Sequence, residues 1–444
     1  MRRAVQHPAR LVPLAFLLAI AVGTVLLMLP AARAGEGSAP FLTALFTSTS
    51  AVCVTGLGVV DTPTYWSGFG QFLIALLVQV GGFGIITAAT LLALVVSNRL
   101  GLRTRLLAQS ESQTFGLAGV RQVLIRVAVT MAVCETAIAV VLTARFWSAY
   151  DMDFLEGLWF GVFHAISSFN NAGFALYSDS LVSFVGDWWI CLPLTFGVIL
   201  GSVGFPVLFE LFRRARRPAQ WSTHTRLVVF GTVGLLVLGF VVMLAFEWAN
   251  PRTLGPLALD DKFLAAFVQG SMPRSGGFNS LDYGAMNLET IAVVITLMFI
   301  GGGSAGTAGG IKITTFLLLA YVIWAEVRGE QDVVVGRRRI ASTVQRQAMS
   351  VALLAVALVG VGTLAIIATT TGVAFDRALF EATSAFGTVG LTMGLTPTLP
   401  GPPQLVLIVL MFVGRVGTIA VASALALRTR QRLYRYPEER PIVG

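Results

Sequence analysis

The chain contains the stretch Phe46-Thr47-Ser48-Thr49-Ser50-Ala51-Val52-Cys53-Val54-Thr55-Gly56-Leu57, and its frame returns three more times along the sequence. In this frame a glycine follows a phenylalanine by ten residues and a serine by six, and a large apolar residue comes next. The copies are Phe163/Ser167/Gly173/Phe174, Phe267/Ser271/Gly277/Phe278 and Phe380/Ser384/Gly390/Leu391. Agreement at these four positions in all four copies indicates an internal repeat around which the chain is organised.

Each copy of the frame is typical of a short helix that runs into an extended turn. The Phe and the Ser, four residues apart, lie on one helix face. The glycine then permits a backbone conformation that residues with a Cβ resist. Four such turns around one axis would direct their backbone carbonyls at a common point, as in a cation selectivity filter. The alternative is four helix-to-helix turns that only close a bundle.

The composition excludes an ordinary soluble domain. Of 444 residues, 56% are hydrophobic and 12% are charged, and the mean hydropathy is +0.80. Runs of about 20 apolar residues are long enough to cross a bilayer. We therefore predict an all-α polytopic membrane protein with four pseudo-symmetric repeats of helix, pore helix, filter and helix around one pore. The expected repeats are 1–97, 98–213, 214–329 with a broken inner helix, and 330–444 with a basic C-terminal tail.

The positive charges are unevenly distributed along the chain. Of the 31 Lys and Arg residues, 23 fall in the five segments 1–10, 97–126, 213–226, 328–346 and 428–440. Because cytoplasmic loops are rich in Lys and Arg, this pattern predicts a multi-pass protein of the cell membrane with both termini in the cytoplasm. It favours contacts with membrane lipid over a nucleic-acid partner. Residues 2–34 also fit a signal peptide, but the apolar run is long for a signal core.

Each repeat is expected to hold an outer helix, a pore helix, a turn and an inner helix, which gives eight crossings in all. The predicted ranges are 11–30, 40–52, 53–58 and 70–96; 122–146, 154–169, 170–175 and 186–212; 226–248, 260–272, 273–279 and 288–328; 347–370, 374–386, 387–393 and 404–427. A pore helix that enters from outside points its negative dipole end at the ion. The expected filter residues are Val54, Thr55, Gly56, Asn171, Ala172, Gly173, Ser275, Gly276, Gly277, Thr388, Val389 and Gly390.

The inner helix of the third repeat carries a glycine-rich stretch, with six glycines among residues 301–310. Such a stretch supports a regular helix poorly. Irregular backbone at membrane depth is tolerated where it is buried or lines a water-filled cavity. We predict a flexible gate under the filter, the alternative being a kinked packing helix. The expected gate residues are Gly301, Gly302, Gly303, Ser304, Gly306, Thr307, Gly309, Gly310, Lys312 and Arg415.

Four charged residues near the expected pore lead to separate predictions. Arg415 lies in an apolar inner helix, where an unpaired charge is costly, so it should find a partner or face the pore as a barrier to cations. Arg415→Ala is then expected to change ion flux without unfolding the protein. Arg274 is expected to turn away from the axis and pair with a carboxylate or a carbonyl. Asp61 and Asp282, five residues after filter glycines, either concentrate cations at an acidic outer mouth or are only solvated.

Enzyme chemistry is not expected. Residues 301–306 match both a dinucleotide fingerprint and a nucleophile elbow, but both motifs require a preceding strand. An intramembrane enzyme that used Ser304 or Glu135 would lack a paired base in this sequence. His164 is expected to be a packing residue, and Glu381 to anchor the fourth pore helix. The scattered His and Cys residues indicate no metal site of their own, and no organic cofactor is expected.

These features together resemble the Trk/Ktr/HKT superfamily of potassium transporters. The resemblance covers nearly the whole chain and includes the glycine-rich break and the arginine of the fourth inner helix. Eight crossings make the chain most similar to the membrane subunits of bacterial Ktr systems, the KtrB type. The matching filter turns are Val54-Thr55-Gly56-Leu57, Asn171-Ala172-Gly173-Phe174, Arg274-Ser275-Gly276-Gly277-Phe278 and Thr388-Val389-Gly390-Leu391.

The resemblance implies uptake of K⁺ by a homodimer with one pore per protomer. It also implies a cytosolic ring of KtrA-like nucleotide-binding subunits that acts on the gate at 301–312, and Na⁺ often stimulates Ktr systems. Glycine in all four turns matches the potassium-selective members. The rival interpretations are a Trk-type, proton-coupled potassium subunit and a less selective Na/K channel. A secondary transporter with broken helices is a third, but it would normally show inverted or twofold repeats.

Overall fold

The computed structural model describes residues 8–99, 117–336 and 338–417. Several expectations lie outside the described residues. These are the basic tail of the fourth repeat, the end of its inner helix, most of the basic segment 1–10, all of 428–440 and the middle of 97–126. Within the described part the regular secondary structure is helical, apart from one short hairpin and isolated bridges. In the hairpin, β1 (Val334–Val335) pairs antiparallel with β2 (Arg338–Arg339).

Fourteen helices of two or more turns follow one another in the described part of the chain. In order they are α1 (Pro8–Leu27), α2 (Phe41–Val52), α3 (Gly68–Arg99), α4 (Leu117–Ala149), α5 (Phe154–Phe169), α6 (Trp188–Val203), α7 (Phe205–Arg214), α8 (Thr223–Glu247), α9 (Leu259–Ser271), α10 (Leu288–Phe299), α11 (Ile313–Val327), α12 (Ser342–Thr369), α13 (Phe375–Gly387) and α14 (Gly401–Phe412). A π-helical turn, Val413–Gly417, continues α14. Single helical turns lie at Pro30–Ala32, Thr62–Tyr65, Val182–Phe184, Pro218–Gln220, Tyr283–Ala285 and Thr396–Thr398.

The packing of these helices follows the order of the sequence repeats. Outer, short and inner helices contact one another within α1/α2/α3, α4/α5/α6 and α12/α13/α14, and α8 contacts both α9 and α10. Between groups, each inner helix packs on the short helix of the next group: α3 on α5, α6 on α9, and α10 on α13. The last inner helix, α14, packs on the first short helix, α2. That contact closes the series into a cycle.

Apolar helices long enough to cross a bilayer are present. Among the described residues, three helical segments pass by length and composition: Arg121–Ala149, Thr223–Glu247 and Ser342–Thr369. The bent pair α6 and α7 makes a fourth if it is counted as one span. The other apolar helical segments of the described residues are 10–17 residues long. The chain is thus of the helical membrane class, and the eight crossings stay a prediction.

The prediction of a continuous inner helix over 186–212 is wrong. α6 ends at Val203 and α7 begins at Phe205, at an angle of 102°. Gly204, at the bend, has a φ of +96°, and Pro206 cannot donate the hydrogen bond that would continue the helix to the Ser202 carbonyl. The sequence signal for this bend is a glycine followed two residues later by a proline.

The third inner helix is broken where the glycine-rich stretch lies. α10 ends at Phe299 and α11 begins at Ile313. Between them the Gly301 N–H donates to the Ile311 carbonyl at 2.8 Å, and the Ile313 N–H donates to the Gly302 carbonyl at 3.0 Å. These bonds join the two ends of the segment across a loop. The segment is therefore a closed loop, and the alternative of a kinked packing helix is not observed.

Candidate cation-binding site

The four repeated turns share a positive φ at the same two positions. The glycines of the frame have φ values of +93°, +69°, +76° and +94° in chain order. The residue two positions earlier also has a positive φ in every copy, and these residues are Val54, Asn171, Ser275 and Thr388. A positive φ is unfavourable for β-branched side chains such as those of Val54 and Thr388. Packing around the turns must therefore hold this conformation. The sequence frame does not reveal it.

The serine of the frame anchors the turn through its backbone. In three copies the N–H of the residue before the glycine donates to the serine carbonyl, over 2.8, 2.7 and 2.8 Å. These pairs are Thr55 with Ser50, Ala172 with Ser167 and Val389 with Ser384. In the third copy the Gly276 N–H instead donates to the Met272 carbonyl at 2.8 Å. The third turn thus departs from the others, and its phenylalanine, Phe267, is also the only one of the four that is not fully buried.

The glycines of the four turns form a ring in which each contacts the next. A Cβ added to Gly173 would lie 2.5 Å from the Gly277 Cα, and one on Gly277 would lie 2.7 Å from the Val389 carbonyl oxygen. A Cβ on Gly56 would collide with the Ala172 carbonyl. The ring closes because a Cβ on the fourth glycine, Gly390, would collide with the Thr55 carbonyl and lie 3.2 Å from the Cα atoms of Gly56 and Gly277.

Two properties of this ring bear on cations. Its lining is backbone, because a methyl group fits at none of the four positions. The carbonyl oxygens of the residues just before three of the glycines, Thr55, Ala172 and Val389, lie against the glycine of a neighbouring turn. Carbonyl oxygens are the groups that replace the water around a dehydrated cation in a selectivity filter. The twelve residues expected to form a filter are thus brought together.

Glycines of the inner helices hold the short helices in place behind the ring. A Cβ on Gly81, Gly201 or Gly414 would collide with a backbone carbonyl at the end of α2, α5 or α13 respectively. Small residues allow helices to approach this closely in a bilayer. Repeats one, two and four therefore share one packing contact. In the third group Gly303 instead meets the Val203 carbonyl of α6.

The loop between α10 and α11 is bonded to the bend of the second inner helix. The Gly303 N–H donates to the Ser202 carbonyl at 2.7 Å, and the Thr307 N–H donates to the Gly201 carbonyl at 3.1 Å. Both carbonyls are available because the helix bends there and Pro206 has no N–H to donate. The bend that sequence reasoning missed thus supplies the acceptors for the loop.

The same loop contacts the filter turns directly. The Thr307 hydroxyl donates to Asn171 Oδ1 at 2.5 Å, and the Gly309 N–H donates to Ser275 Oγ at 3.2 Å. Ser275 Oγ in turn donates to the Thr388 carbonyl at 2.8 Å. A continuous set of hydrogen bonds therefore links the loop to the second, third and fourth turns.

Two cationic side chains, the buried Arg415 and the partly buried Lys312, hold the loop from its other side. Lys312 Nζ donates to the Ala308 carbonyl at 2.6 Å, and an Arg415 terminal nitrogen donates to the Thr307 carbonyl. Arg415 is 2% exposed, and within the described residues its Nε and its second terminal nitrogen have no hydrogen-bond partner. No carboxylate of the described part lies within 4.0 Å of either cation. Uncompensated positive charge thus lies against the loop.

The residues expected to form the gate fall into two sets by their contacts. Gly303, Thr307, Gly309 and Arg415 make the bonds that join the loop to other groups. The remaining residues shape or close the loop itself: Gly301, Gly302, Ser304, Gly306, Gly310 and Lys312. Ser304 Oγ lies 3.2 Å from the Thr314 hydroxyl. A nucleophile partnered by a second hydroxyl does not match the base-activated arrangement of a serine hydrolase.

Arg274 and the two outer acids lie away from the ring. Arg274 is buried, and a terminal nitrogen donates to the Thr232 carbonyl of α8 at 3.3 Å, which agrees with the expected carbonyl partner. Asp61 is exposed and accepts from the Ser178 hydroxyl at 2.7 Å. Asp282 is exposed and accepts from the Gly284 N–H at 2.8 Å.

Buried polar side chains fix the segments around the turns. Glu381 accepts from the hydroxyls of Thr392 and Thr396, both at 2.5 Å, so it anchors the chain just after the fourth turn as expected. His164 accepts from the Leu176 N–H at 3.2 Å through Nε2, while Nδ1 lies 2.7 Å from the Phe160 carbonyl. It therefore connects the second short helix to the segment after its turn.

Two further acids accept hydrogen bonds from distant parts of the chain, and the sequence does not predict these contacts. Glu247 accepts from Thr253 Oγ1 at 2.7 Å, Asn287 N at 2.9 Å and Thr290 Oγ1 at 2.5 Å. Glu135 accepts from Gln79 and Asn170 side chains at 3.1 and 3.0 Å, directly beside the second turn. Their partners are distant in sequence, and only the presence of an acid in apolar surroundings could have indicated them.

Comparison with known proteins gives the family. Residues 3–433 match the sequence profile described as TrkH, cation transport protein. The chain is 40% identical to the Ktr system potassium uptake protein B of Bacillus subtilis, over 98% of this chain and 97% of that protein. It is 34% identical to the potassium/sodium uptake protein NtpJ of Enterococcus hirae, over 98% and 97%.

A solved structure shares the fold. The potassium transporter TrkH from Vibrio parahaemolyticus superposes with a TM-score of 0.73 at 20% identity, over 95% of this chain and 84% of that one. At this identity the likeness bears on the fold alone. The sequence profile and the identity to the Bacillus protein carry the assignment: the chain belongs to the TrkH family of cation transport proteins, within the superfamily that its motifs resemble.

Proposed function

We propose that this chain is the membrane subunit of a potassium uptake system and that K⁺ crosses through the ring of four filter turns. The observation that carries the proposal is the contact ring of four positive-φ glycines with neighbouring carbonyls turned toward it. The closed cycle of inner and short helices supports a fourfold arrangement of four repeats around one pore. The Bacillus and Enterococcus relatives, a potassium uptake protein and a potassium/sodium uptake protein, support K⁺ as the ion.

In this proposal the filter works through its backbone. K⁺ gives up its water to the carbonyls of the turns, and no side chain needs to change charge. The short helices add to the attraction if their C-terminal, negative ends face the ion. The step is translocation without covalent chemistry, and no organic cofactor takes part in it. Na⁺, if it acts, stimulates transport and is not needed to build the filter.

The loop at 301–312 is proposed as the gate. Hydrogen bonds tie it to three filter turns, directly or through Ser275, and to the α6 bend. Arg415 and Lys312 add positive charge on this side of the filter and bond the loop carbonyls. A loop held this way obstructs the path below the ring and repels cations. Opening then requires that the Thr307 and Arg415 contacts break together.

The control of this gate is assigned to a partner. The named Bacillus relative belongs to a Ktr system, which supports a cytosolic ring of KtrA-like nucleotide-binding subunits acting on the loop. A homodimer in the plasma membrane, with both termini cytoplasmic, completes the proposed assembly. The basic segments 213–226 and 328–346 would then lie on the side of the regulatory ring.

The rival is a less selective Na/K channel, which the name of the Enterococcus relative favours. A Trk-type, proton-coupled subunit is a second rival with the same pore and a different partner.

Uptake of radioactive Rb⁺ into liposomes that carry the purified protein separates these interpretations. The proposal expects excess K⁺ to abolish Rb⁺ uptake, excess Na⁺ to leave most of it, and a pH gradient alone to drive none. Equal suppression by Na⁺ and K⁺ would establish the unselective channel.

A further inference from the structure

An open groove of about 1810 Å³ lies outside the filter ring and the gate loop. Its walls come from the end of α7, the first half of α8, the middle of α11, the β1–β2 hairpin and the loop at 218–222. Arginines line one end of the groove and apolar side chains line the other. This division suits an amphiphilic occupant.

The basic end presents three exposed arginines, Arg214, Arg226 and Arg338. Arg214 donates to the Gln220 carbonyl at 3.3 Å, and Arg226 donates to the Ala219 carbonyl at 2.6 Å. A guanidinium has five N–H donors, so each of these two side chains is positioned by the loop and keeps donors for an anion. In the described ranges none of the three arginines forms an ion pair within 4.0 Å.

The single acid of the lining is already engaged. Glu210 accepts from the Ser222 N–H at 2.8 Å, from the Ser222 hydroxyl at 2.7 Å and from the Thr225 hydroxyl at 2.5 Å. Three arginines against this one carboxylate leave the lining with a net charge of +2. The N-terminus of α8, at Thr223, faces the same end, and its dipole also favours an anion. The basic end is therefore built to attract negative charge.

The apolar end has the length of one lipid leaflet. α8 leaves the basic end at Thr223 while α11 arrives at Val327, so the two helices run antiparallel along the groove. The lining reaches Leu235 on α8 and Leu317 on α11. At 1.5 Å per residue these positions lie about 18 and about 15 Å from the basic end, and half of the hydrocarbon core measures about 15 Å.

The groove also has room for a chain beside α8. A Cβ added to Gly234 would have no heavy atom within 4 Å, and the nearby Phe230 side chain is 66% exposed. Gly231, by contrast, packs against Leu317 of α11, whose nearest atom would lie 2.7 Å from an added Cβ. The small residue at 234 therefore leaves open space, whereas the one at 231 brings the helices together.

We propose that this groove binds an anionic phospholipid of the cytoplasmic leaflet. The phosphate would lie on Arg214, Arg226 and Arg338, and one acyl chain would lie along α8 past Gly234. Trp221, which also lines the groove, belongs to the residue type that prefers the membrane interface. A free phosphate ion would use only the basic end and leave the apolar half of the groove without an occupant.

Native mass spectrometry of the full-length protein in mild detergent tests the site, with phosphatidylglycerol as the probe and phosphatidylcholine as the neutral lipid. The variant Arg214→Gln/Arg226→Gln should bind phosphatidylglycerol about thirtyfold more weakly, since each surface arginine contributes about 1 kcal/mol. Gly234→Leu, which fills the groove without touching the charges, should also weaken binding at least tenfold. Phosphatidylcholine should bind weakly to all variants.

The matched control is Arg213→Gln/Arg216→Gln, which removes the same charge from the same segment at positions outside the groove. It should retain wild-type affinity for phosphatidylglycerol. The proposal is overturned if the control loses as much affinity as the groove variant, if both groove variants bind like wild type, or if soluble glycerol phosphate competes as well as the lipid. It is also overturned if Gly234→Leu changes only the oligomeric state, since a second copy of the chain would then cover the groove.

Discussion

The ring of four turns, proposed as the filter, and the loop at 301–312, proposed as the gate, are both rich in glycine, yet glycine serves a different purpose in each. In the ring all four glycines have a positive φ and stand in contact with one another. In the loop only Gly310 of the six has a positive φ, while a Cβ on Gly301 or Gly303 would collide with backbone. The ring therefore depends on conformation and mutual contact. The loop depends on close packing against its neighbours.

The two regions also differ in what holds them. Each filter turn is held by a short helix of its own repeat, through local backbone hydrogen bonds. The loop is held by groups that lie over a hundred residues away in sequence, among them Asn171 and Arg415. A region held locally in four copies is expected to be rigid. A region held by a few distant side chains can be released by changing one of them.

The largest expected effect lies in the ring. Gly277→Ser places a Cβ near the Gly173 Cα and the Val389 carbonyl at a φ of +76°, so the ring must open or distort. We expect the preference for K⁺ over Na⁺ to fall by about a hundredfold or more. The backbone strain of a serine at this φ and the collision of its Cβ with the neighbouring turns together cost more than about 2–3 kcal/mol. Rb⁺ uptake into liposomes, with each ion as competitor, measures it.

The control for this variant is Gly372→Ser. Gly372 also has a positive φ, +77°, but no heavy atom lies within 4 Å of an added Cβ. It reproduces the backbone strain without touching the ring, and ion preference should be that of the wild type. If both variants keep the wild-type preference for K⁺ over Na⁺, the ring glycines serve packing only and the pore lies elsewhere.

The next effect concerns the loop. Arg415→Ala removes both the bond to the Thr307 carbonyl and a buried positive charge. Since a hydrogen bond to a charged group contributes about 1.5–3 kcal/mol, resting Rb⁺ flux should rise by about tenfold to a hundredfold, with ion preference retained. Arg377→Ala, at an exposed arginine, is the control. Unchanged flux in a folded Arg415→Ala protein would remove the arginine from the gate.

A smaller effect is expected from Thr307→Val, which keeps the shape of the side chain and removes its hydroxyl. The hydroxyl donates to Asn171 Oδ1 at 2.5 Å, and one neutral hydrogen bond contributes about 0.5–1.5 kcal/mol. Resting flux should rise about threefold to tenfold. Ser304→Ala, whose hydroxyl faces Thr314 within the same segment, should leave flux unchanged. Equal effects of the two variants would mean that the loop responds to any lost hydroxyl.

The smallest effect is expected at the outer acids. If Asp61 and Asp282 concentrate cations, the pair Asp61→Asn/Asp282→Asn should reduce Rb⁺ uptake about twofold to threefold at low ionic strength. The difference should vanish at high salt, because exposed charges are screened there. The matched control is Glu36→Gln/Glu289→Gln, which removes two other exposed carboxylates. A reduction that persists at high salt would point to a structural role.

The sequence predicts the short helices and their turns because these elements are local and repeated. Phe, Ser and Gly at fixed spacing mark each short helix and its turn, and the structure has α2, α5, α9 and α13 at or within one or two residues of the predicted ranges. Single glycines needed for φ cannot be replaced without strain, which is why they stand out in every copy. The second positive φ, at residues such as Val54, leaves no such mark.

The contacts of the loop could not be predicted in the same way. They depend on the bend at Gly204, where the sequence predicts a continuous helix, and on the Gly201 and Ser202 carbonyls that are free at this bend. Glu247 was likewise missed, because its partners Thr253 and Thr290 are common hydroxyl residues without a motif. Long-range hydrogen bonds between ordinary residues follow from the fold, and no spacing in the sequence encodes them.

The most direct test of the central claim is the position of the ion itself. Crystals of the protein grown in Rb⁺, or soaked with Tl⁺, reveal the ion by anomalous diffraction. We expect a peak on the axis of the ring, next to the carbonyls of Thr55, Ala172 and Val389, and its disappearance in Gly277→Ser. A well-ordered peak elsewhere in the membrane region, with the ring empty in the same crystal, would contradict the assignment of the ring as the filter.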